Sequence, residues 1–230
     1  MKHLCIETST ECCSVALCMD GEIISESEVA QNRHNEIVLP MCERILAKAQ
    51  ASLDQLDAIA FGRGPGAFTG VRLAASVAQG IAMARDLPVV PVSSLAALAQ
   101  AAYTRQKASQ VLACIDARMQ EVYFALYQLD ENEIMQLTGR EQVGKPELID
   151  VEVDKHCIGY GSGWKVYARA LLDRCKTDLA FDANVTPQAE HVACLAEHYF
   201  NQGLAVSATE AIPVYVRDNV ASKPKKKKIG

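Results

Sequence analysis

No stretch of this sequence stays apolar for the roughly 20 residues that a bilayer-spanning helix needs. No secretory segment opens the chain, so the expected setting is a soluble protein of the cytoplasm with no membrane partner. The nine cysteines form no CxxC pair, and their number is odd. Most sit in apolar runs, which points to buried, reduced thiols and away from a disulfide framework. Metal-ligand spacing is lacking as well. His34 has no second histidine at helical spacing, His3 and His156 are isolated, and only His191, Cys194 and His198 share one face of a predicted helix. An ordinary helix surface with a buried cysteine accounts for that trio more simply, so no metal site is expected. No G-x-S-x-G elbow or cysteine–histidine pairing stands out either, and no catalytic residue is assigned.

Basic charge is missing from the body of the chain. The formal net charge is −5, but five lysines lie between Lys223 and Lys228, which leaves −10 on residues 1–222. An acidic body argues against gripping nucleic acid over a broad face, because phosphate neutralisation needs cations. Direct contact with nucleic acid is therefore expected, if anywhere, from the basic tail, residues 218–230.

What is present is an α/β pattern. Half of the 230 residues are hydrophobic, enough to bury a full core. Alternation predicts strands over residues 3–7, 13–19 and 22–29, with Asp20-Gly21 as a hairpin turn. A helix over 35–49, a strand over 58–61, a helix over 69–84 and a strand over 89–91 complete the order βββαβαβ. A similar half begins near Ser94, with a helix over 95–104, strands over 111–115 and 121–129, helices over 164–175 and 187–202, and a short terminal strand or extended segment at 213–217. The expectation is two lobes, each a mixed sheet with flanking helices, divided as 1–98 and 99–217.

Two loops have the composition to meet a phosphate. Gly62, Gly64, Gly66 and Gly70 precede a helix N-terminus, where backbone without Cβ can approach an oxyanion closely. This is neither a Walker A loop nor a GxGxxG fingerprint. A sharp strand-to-helix turn with Thr69 as N-cap explains it equally well. Glu7, Thr8, Ser9 and Thr10 end the first strand with a carboxylate and three hydroxyls, and Thr and Ser capping a hairpin is the commoner reading. At the mirrored turn of the second half, Asp116 reads as a turn-stabilising residue before a base. Gly159, Gly161 and Gly163 are a weak sign of an adenosine site.

Two helices carry more apolar surface than one sheet can cover. Val38, Leu39, Met41, Cys42, Ile45, Leu46 and Ala49 fill an arc of roughly 160° on the first. On the second, Arg72, Ser76 and Gln79 form a narrow polar stripe and leave an apolar arc of roughly 220°. Ala74, Ala75, Ala78 and Gly80 permit close helix approach, and Val71, Ile81 and Ala82 extend the apolar arc. Another helix of the same chain lying over this surface explains it equally well; the favoured reading is a partner, with the face assigned to Val38, Met41, Cys42, Ile45 and Leu46 together with Val71, Ala74, Ala75, Ala78, Ile81 and Ala82.

These residues resemble the TsaB (YeaZ) family, subunits of the machinery that makes threonylcarbamoyladenosine beside the tRNA anticodon. The likeness rests on Ile6 to Thr10, on Arg33-His34-Asn35-Glu36 leading into Leu39-Pro40, and on Gly62 to Gly70 with Val71-Arg72. It extends through Asp116-Ala117-Arg118, Glu121-Val122-Tyr123 and Pro213 to Arg217. It implies a two-lobed fold of the actin, hexokinase and heat-shock-ATPase superfamily, related to the catalytic subunit TsaD. Where TsaD carries a pair of metal-holding histidines on its first helix, this chain resembles it only at His34, with Val38 four residues later. The resemblance further implies a non-catalytic subunit that pairs with TsaD through its first-lobe helices, works with TsaE, and forms a homodimer alone. It would meet tRNA through the complex, with direct contact by Lys223 to Lys228 as a further expectation. No cofactor is implied as required. Weak ATP or ADP binding at the complex interface would involve Glu7, Thr8, Ser9, Gly64 and Gly66. An ATPase or kinase-like enzyme using the same loops, with Glu7 and Asp116 as its acids, is the alternative, and a peptidase acting on TsaD lacks a nucleophile.

Overall fold

Side-chain alternation along the first strand sets up the architecture. In a computed structural model that describes residues 1–30 and 32–217, Leu4 and Ile6 point to one side of β1 (Lys2–Glu7) and Cys5 to the other, and all three are buried. A strand sealed on both faces must have a layer on each side. β1, β2 (Cys12–Met19) and β3 (Glu22–Val29) form an antiparallel meander. β4 (Ala58–Gly64) and β5 (Val89–Ser93) add in parallel, giving the order β3-β2-β1-β4-β5.

The second sheet repeats this plan. β6 (Gln110–Asp116), β7 (Val122–Leu129) and β8 (Met135–Gly144) pair antiparallel, and β9 (Cys157–Tyr160) and β10 (Phe181–Asp182) join in parallel. Its order is β10-β9-β6-β7-β8. Counted within each lobe, both sheets read 3-2-1-4-5, the duplicated arrangement of the actin, hexokinase and heat-shock-ATPase fold.

Five layers result. Helices α1 (His34–Lys48) and α2 (Phe68–Arg85) cover one face of the first sheet. Helices α3 (Ser94–Gln106) and α5 (Ala189–Asn201) lie between the two sheets, and α4 (Ser162–Cys175) covers the far side of the second. The first sheet turns small side chains, Cys5, Ala16, Cys18, Ala58 and Ala60, toward the middle layer, which lets those helices approach closely. Ten consecutive residues of α3, Ser94 to Tyr103, are buried, as suits a helix enclosed on all sides. Ser93 caps it, accepting from the backbone N–H groups of Leu95 and Ala96 at 3.1 and 3.3 Å. The expected division at residue 98 falls inside α3, which is continuous. α5, from the C-terminal half, also packs on β1, β2, β4 and β5 of the first sheet. The lobes interlock, so no single cut in sequence separates them.

Three further differences bear on the site. β8 is absent from the sequence-based expectation, because it is an edge strand with only Met135 fully buried and little alternation to betray it. Residues 211–217 form no strand; they run across both lobes, with the Val214 N–H donating to the Arg63 carbonyl at 2.9 Å. The second lobe has no counterpart of α1: between β8 and β9 the chain makes a single short turn, Pro146–Leu148, and Ile149, Val151 and Val153 cover the sheet there instead. The lysine run from Lys223 to Lys228 lies outside the described residues.

Candidate functional site: an interlobe cleft and a helix face

A cleft of about 980 Å³ opens where the ends of β1 and β4 meet the turn after β6. Its first-lobe wall is the β1–β2 loop, the loop into α2, and His34 and Asn35 at the start of α1. Its second-lobe wall is Asp116 to Met119 and the start of α4, and residues 214–217 close one end.

The two loops singled out in the sequence do come together, but against each other. A Cβ on Gly62 would collide with the Glu7 carboxylate, one on Gly66 with Ser9, and one on Gly70 with the Thr8 carbonyl. Glycine is needed there for packing. The Thr8 hydroxyl donates to the Gly70 carbonyl at 2.7 Å, and the Ala67 N–H donates to the Ser9 carbonyl at 2.7 Å. These contacts hold the first turn of α2, which starts at Phe68 with Ala67 in the cap position and no side-chain cap. Thr69, expected as N-cap, already lies in the helix.

Glu7 is fully buried and does not line the cleft. It accepts from the Ser9 N–H at 2.6 Å and from the Ser94 hydroxyl at 2.9 Å. Burial pushes its carboxyl above the ordinary range, opposed in part by those hydrogen bonds. It braces the loop from behind, with no free oxygen facing the cleft. Gly64 also lies outside the lining, whereas Thr8, Ser9 and Gly66 belong to it. Ser9 Oγ is buried and finds no hydrogen-bond partner among the described residues.

In the second lobe, Asp116 accepts from the Arg118 backbone N–H at 3.0 Å and pairs with the Arg118 guanidinium at 3.2 Å, the geometry of a turn-stabilising aspartate. Gly159, with Trp164 packed where a Cβ would stand, and Gly161 and Gly163, pressed against Cys114, are explained by packing. Histidine chemistry does not assemble either. His34 Nε2 is 2.9 Å from the Thr10 carbonyl oxygen, and His198 Nε2 is 2.8 Å from the Gln202 amide nitrogen. His191 is buried beside Glu190, and burial pulls its pKa down to about 4. Among the described residues no group of three histidine, cysteine or acidic side chains converges. All nine cysteines are free thiols, eight of them buried.

The helix face requires a correction. Val38, Met41, Cys42, Ile45, Ala74, Ala75, Ala78 and Ala82 are buried inside the chain's own first-lobe core, against Leu4, Ile6, Val15, Leu17, Ile59 and Phe61, and Val71 is buried beside Gly64. They cannot form an outer face. Only Leu46 and Ile81 of the assigned set reach the surface in part. The apolar arcs are wide because one half meets the sheet and the other does not. Leu73, Val77 and Ile81 of α2 and Ile37 of α1 are half-buried along the edge of that core, while Arg72, Ser76, Gly80 and Met83 on α2, the last 65% exposed, and Leu39 and Pro40 on α1 face outward. A Cβ on Gly80 would meet nothing within 4 Å. The polar stripe Arg72–Ser76 was the usable signal, since it marks the outward side that Leu73, Val77 and Gly80 flank.

Comparison with known proteins agrees with this geometry. The family model described as TsaD, tRNA N6-adenosine threonylcarbamoyltransferase, matches residues 22–225. The chain is 40% identical to the tRNA threonylcarbamoyladenosine biosynthesis protein TsaB of Escherichia coli strain K12, over 97% of each chain. It is 41% identical to the TsaB of Haemophilus influenzae, over 96% of this chain and 95% of that one. The solved structure of YeaZ from Pseudomonas aeruginosa superposes with a TM-score of 0.88 at 46% identity, covering 93% of this chain and 99% of the other. Near-complete coverage, this level of identity and a shared two-lobed fold place the chain in the TsaB (YeaZ) family of tRNA threonylcarbamoyladenosine biosynthesis proteins.

Proposed function

We propose that this chain is a non-catalytic subunit of tRNA threonylcarbamoyladenosine synthesis that docks on TsaD through the outward faces of α1 and α2 and helps recruit TsaE. The observation that carries the reading is the outer surface of α2, where half-buried Leu73, Val77 and Ile81 lie in a line beside an exposed Gly80 and Met83. A mid-helix glycine costs about 1 kcal/mol against alanine, and here no neighbour among the described residues requires it. A second helix seated against it would. In the absence of TsaD the same face would pair two copies of the chain, with the heterodimer as a pseudo-symmetric version of that pair.

Buried Glu7 and turn-bound Asp116 support the lack of catalysis, because phosphoryl transfer needs carboxylates free to hold a metal and a base for the acceptor. One observation favours the second reading, a weak nucleotide site: the partnerless Ser9 hydroxyl in the wall of a cleft roomy enough for a nucleotide. Reconstitution with TsaD, TsaE and tRNA, leaving out one component at a time, tests the first reading. Modification should require this chain while its own loops tolerate Asp116→Asn. Calorimetry of the isolated chain with ATP and magnesium tests the second; turnover by the chain alone would refute the scaffold.

A further inference from the structure

We propose that the mouth of the interlobe cleft holds a single-stranded stretch of RNA, stacking bases on Phe68 and Tyr215 and drawing phosphates to Arg118 and Lys165. The proposal rests on the reading that the chain works on tRNA, and it adds the surface by which it would touch it.

The first observation is where apolar side chains meet water. Of the fourteen large hydrophobic residues exposed in the described structure, five line this one cleft: Phe68, Met119, Val166, Val214 and Tyr215. Scattered exposure is ordinary, but concentration around a concave site marks recognition. The second is how the rings are held. Phe68 and Tyr215 lie 5.8 Å apart, the Arg72 guanidinium sits 3.6 Å over the Phe68 ring, and Arg72 Nε donates to the Tyr215 hydroxyl at 2.7 Å. Three side chains from α2 and the terminal segment thus form a pre-ordered platform, with Phe68 53% and Tyr215 44% exposed. Flat, rigid π-faces suit bases, which stack without regard to sequence.

The third is charge. In a body that carries −10, Arg118, Lys165 and Arg217 line this cleft against Glu11 and Asp116, with Arg72 behind the two rings and Glu121 behind Arg217. Asp116 is paired with Arg118 and Glu121 with Arg217, while Lys165 is exposed and makes no ion pair among the described residues. Arg217 also donates to the Ala117 carbonyl, which fixes the end of the described chain at the rim. The expectation that only the tail could meet nucleic acid is thereby widened: an acidic surface can still hold a local cationic seat, with binding that is steeply salt-dependent.

Fluorescence anisotropy of the full chain with a fluorescein-labelled oligoadenylate at low salt provides the test. Phe68→Ala combined with Tyr215→Ala changes no charge and leaves every lysine in place. It should weaken binding roughly tenfold or more with the salt slope unchanged, and Phe68→Tyr should retain affinity. Arg118→Ala with Lys165→Ala should instead lower the salt slope by about 1.4. Both sites are exposed, and unchanged melting of the variants confirms that the fold is intact. The proposal is overturned if the wild type does not bind, if the aromatic pair binds like wild type, or if polyglutamate displaces the probe as well as unlabelled RNA does, since the last would make this an acidic-peptide site. A chain that binds no RNA here yet still docks on TsaD and supports modification would sink this inference and leave the scaffold reading standing.

Discussion

Replacing Gly80 by leucine should stabilise the isolated chain and weaken its docking at the same time. Gly80 lies in the middle of α2 with open space where its Cβ would be, so leucine brings no clash within the molecule. Removing glycine from a helix interior in favour of leucine is worth about 0.8 kcal/mol. For a chain of this size that raises the melting temperature by about 2–3 °C. At the proposed interface the same side chain intrudes where two helices approach. Overpacking there costs about 1–3 kcal/mol, which is roughly a 5- to 150-fold loss of affinity. Melting should be followed at low concentration, because self-association would itself raise the melting temperature. Titration calorimetry against TsaD reads the second effect. A variant that melts higher and binds TsaD as tightly as wild type would refute the placement of Gly80 at the contact. One that melts lower would refute the open surroundings from which both figures derive.

Ala78→Glu should act on folding first, since Ala78 is fully buried against the first sheet; a loss on the order of 3 kcal/mol or more is expected in thermal melts, and normal melting with lost docking would contradict its burial. Gly70→Ala should destabilise by about 1–3 kcal/mol in urea titrations, because the new methyl meets the Thr8 carbonyl, and a neutral result would mean the loop yields easily. Glu7→Gln probes the buried carboxyl. Its folded pKa is raised, so the folded state favours the protonated form, and its contribution to stability is present in acid and lost as pH rises from the ordinary carboxylate range through the raised value. The glutamine variant cannot ionise, so wild type should lose stability relative to it over that interval. A stability difference that stays flat across acidic pH would show that Glu7 titrates normally.

Much of the fold was legible because it depends on period. The strands of the first meander alternate, and α1 and α2 begin and end within a residue or two of the positions their apolar spacing predicts. Direction was not legible. An arc of roughly 220° on α2 says that more than one side is covered but not which half meets the sheet. Met41, Ile45 and Ala78 therefore read as interface while they build the core. The loops show the same limit: glycines written for close approach look alike whether the neighbour is a phosphate or the Glu7 carboxylate. β8 escaped because Gln136, Thr138, Arg140 and Gln142 carry an edge pairing that resides in the backbone. The Phe68–Arg72–Tyr215 platform joins residues up to 147 positions apart, and nothing in local pattern connects them.

The short turn at Pro146–Leu148, where the second lobe dispenses with a partner for α1, limits what the molecule can build. Had both halves kept two outer helices, each chain would offer two mutually compatible ends, and head-to-tail growth into filaments would compete with pairing. With one such end, every encounter through it is terminal.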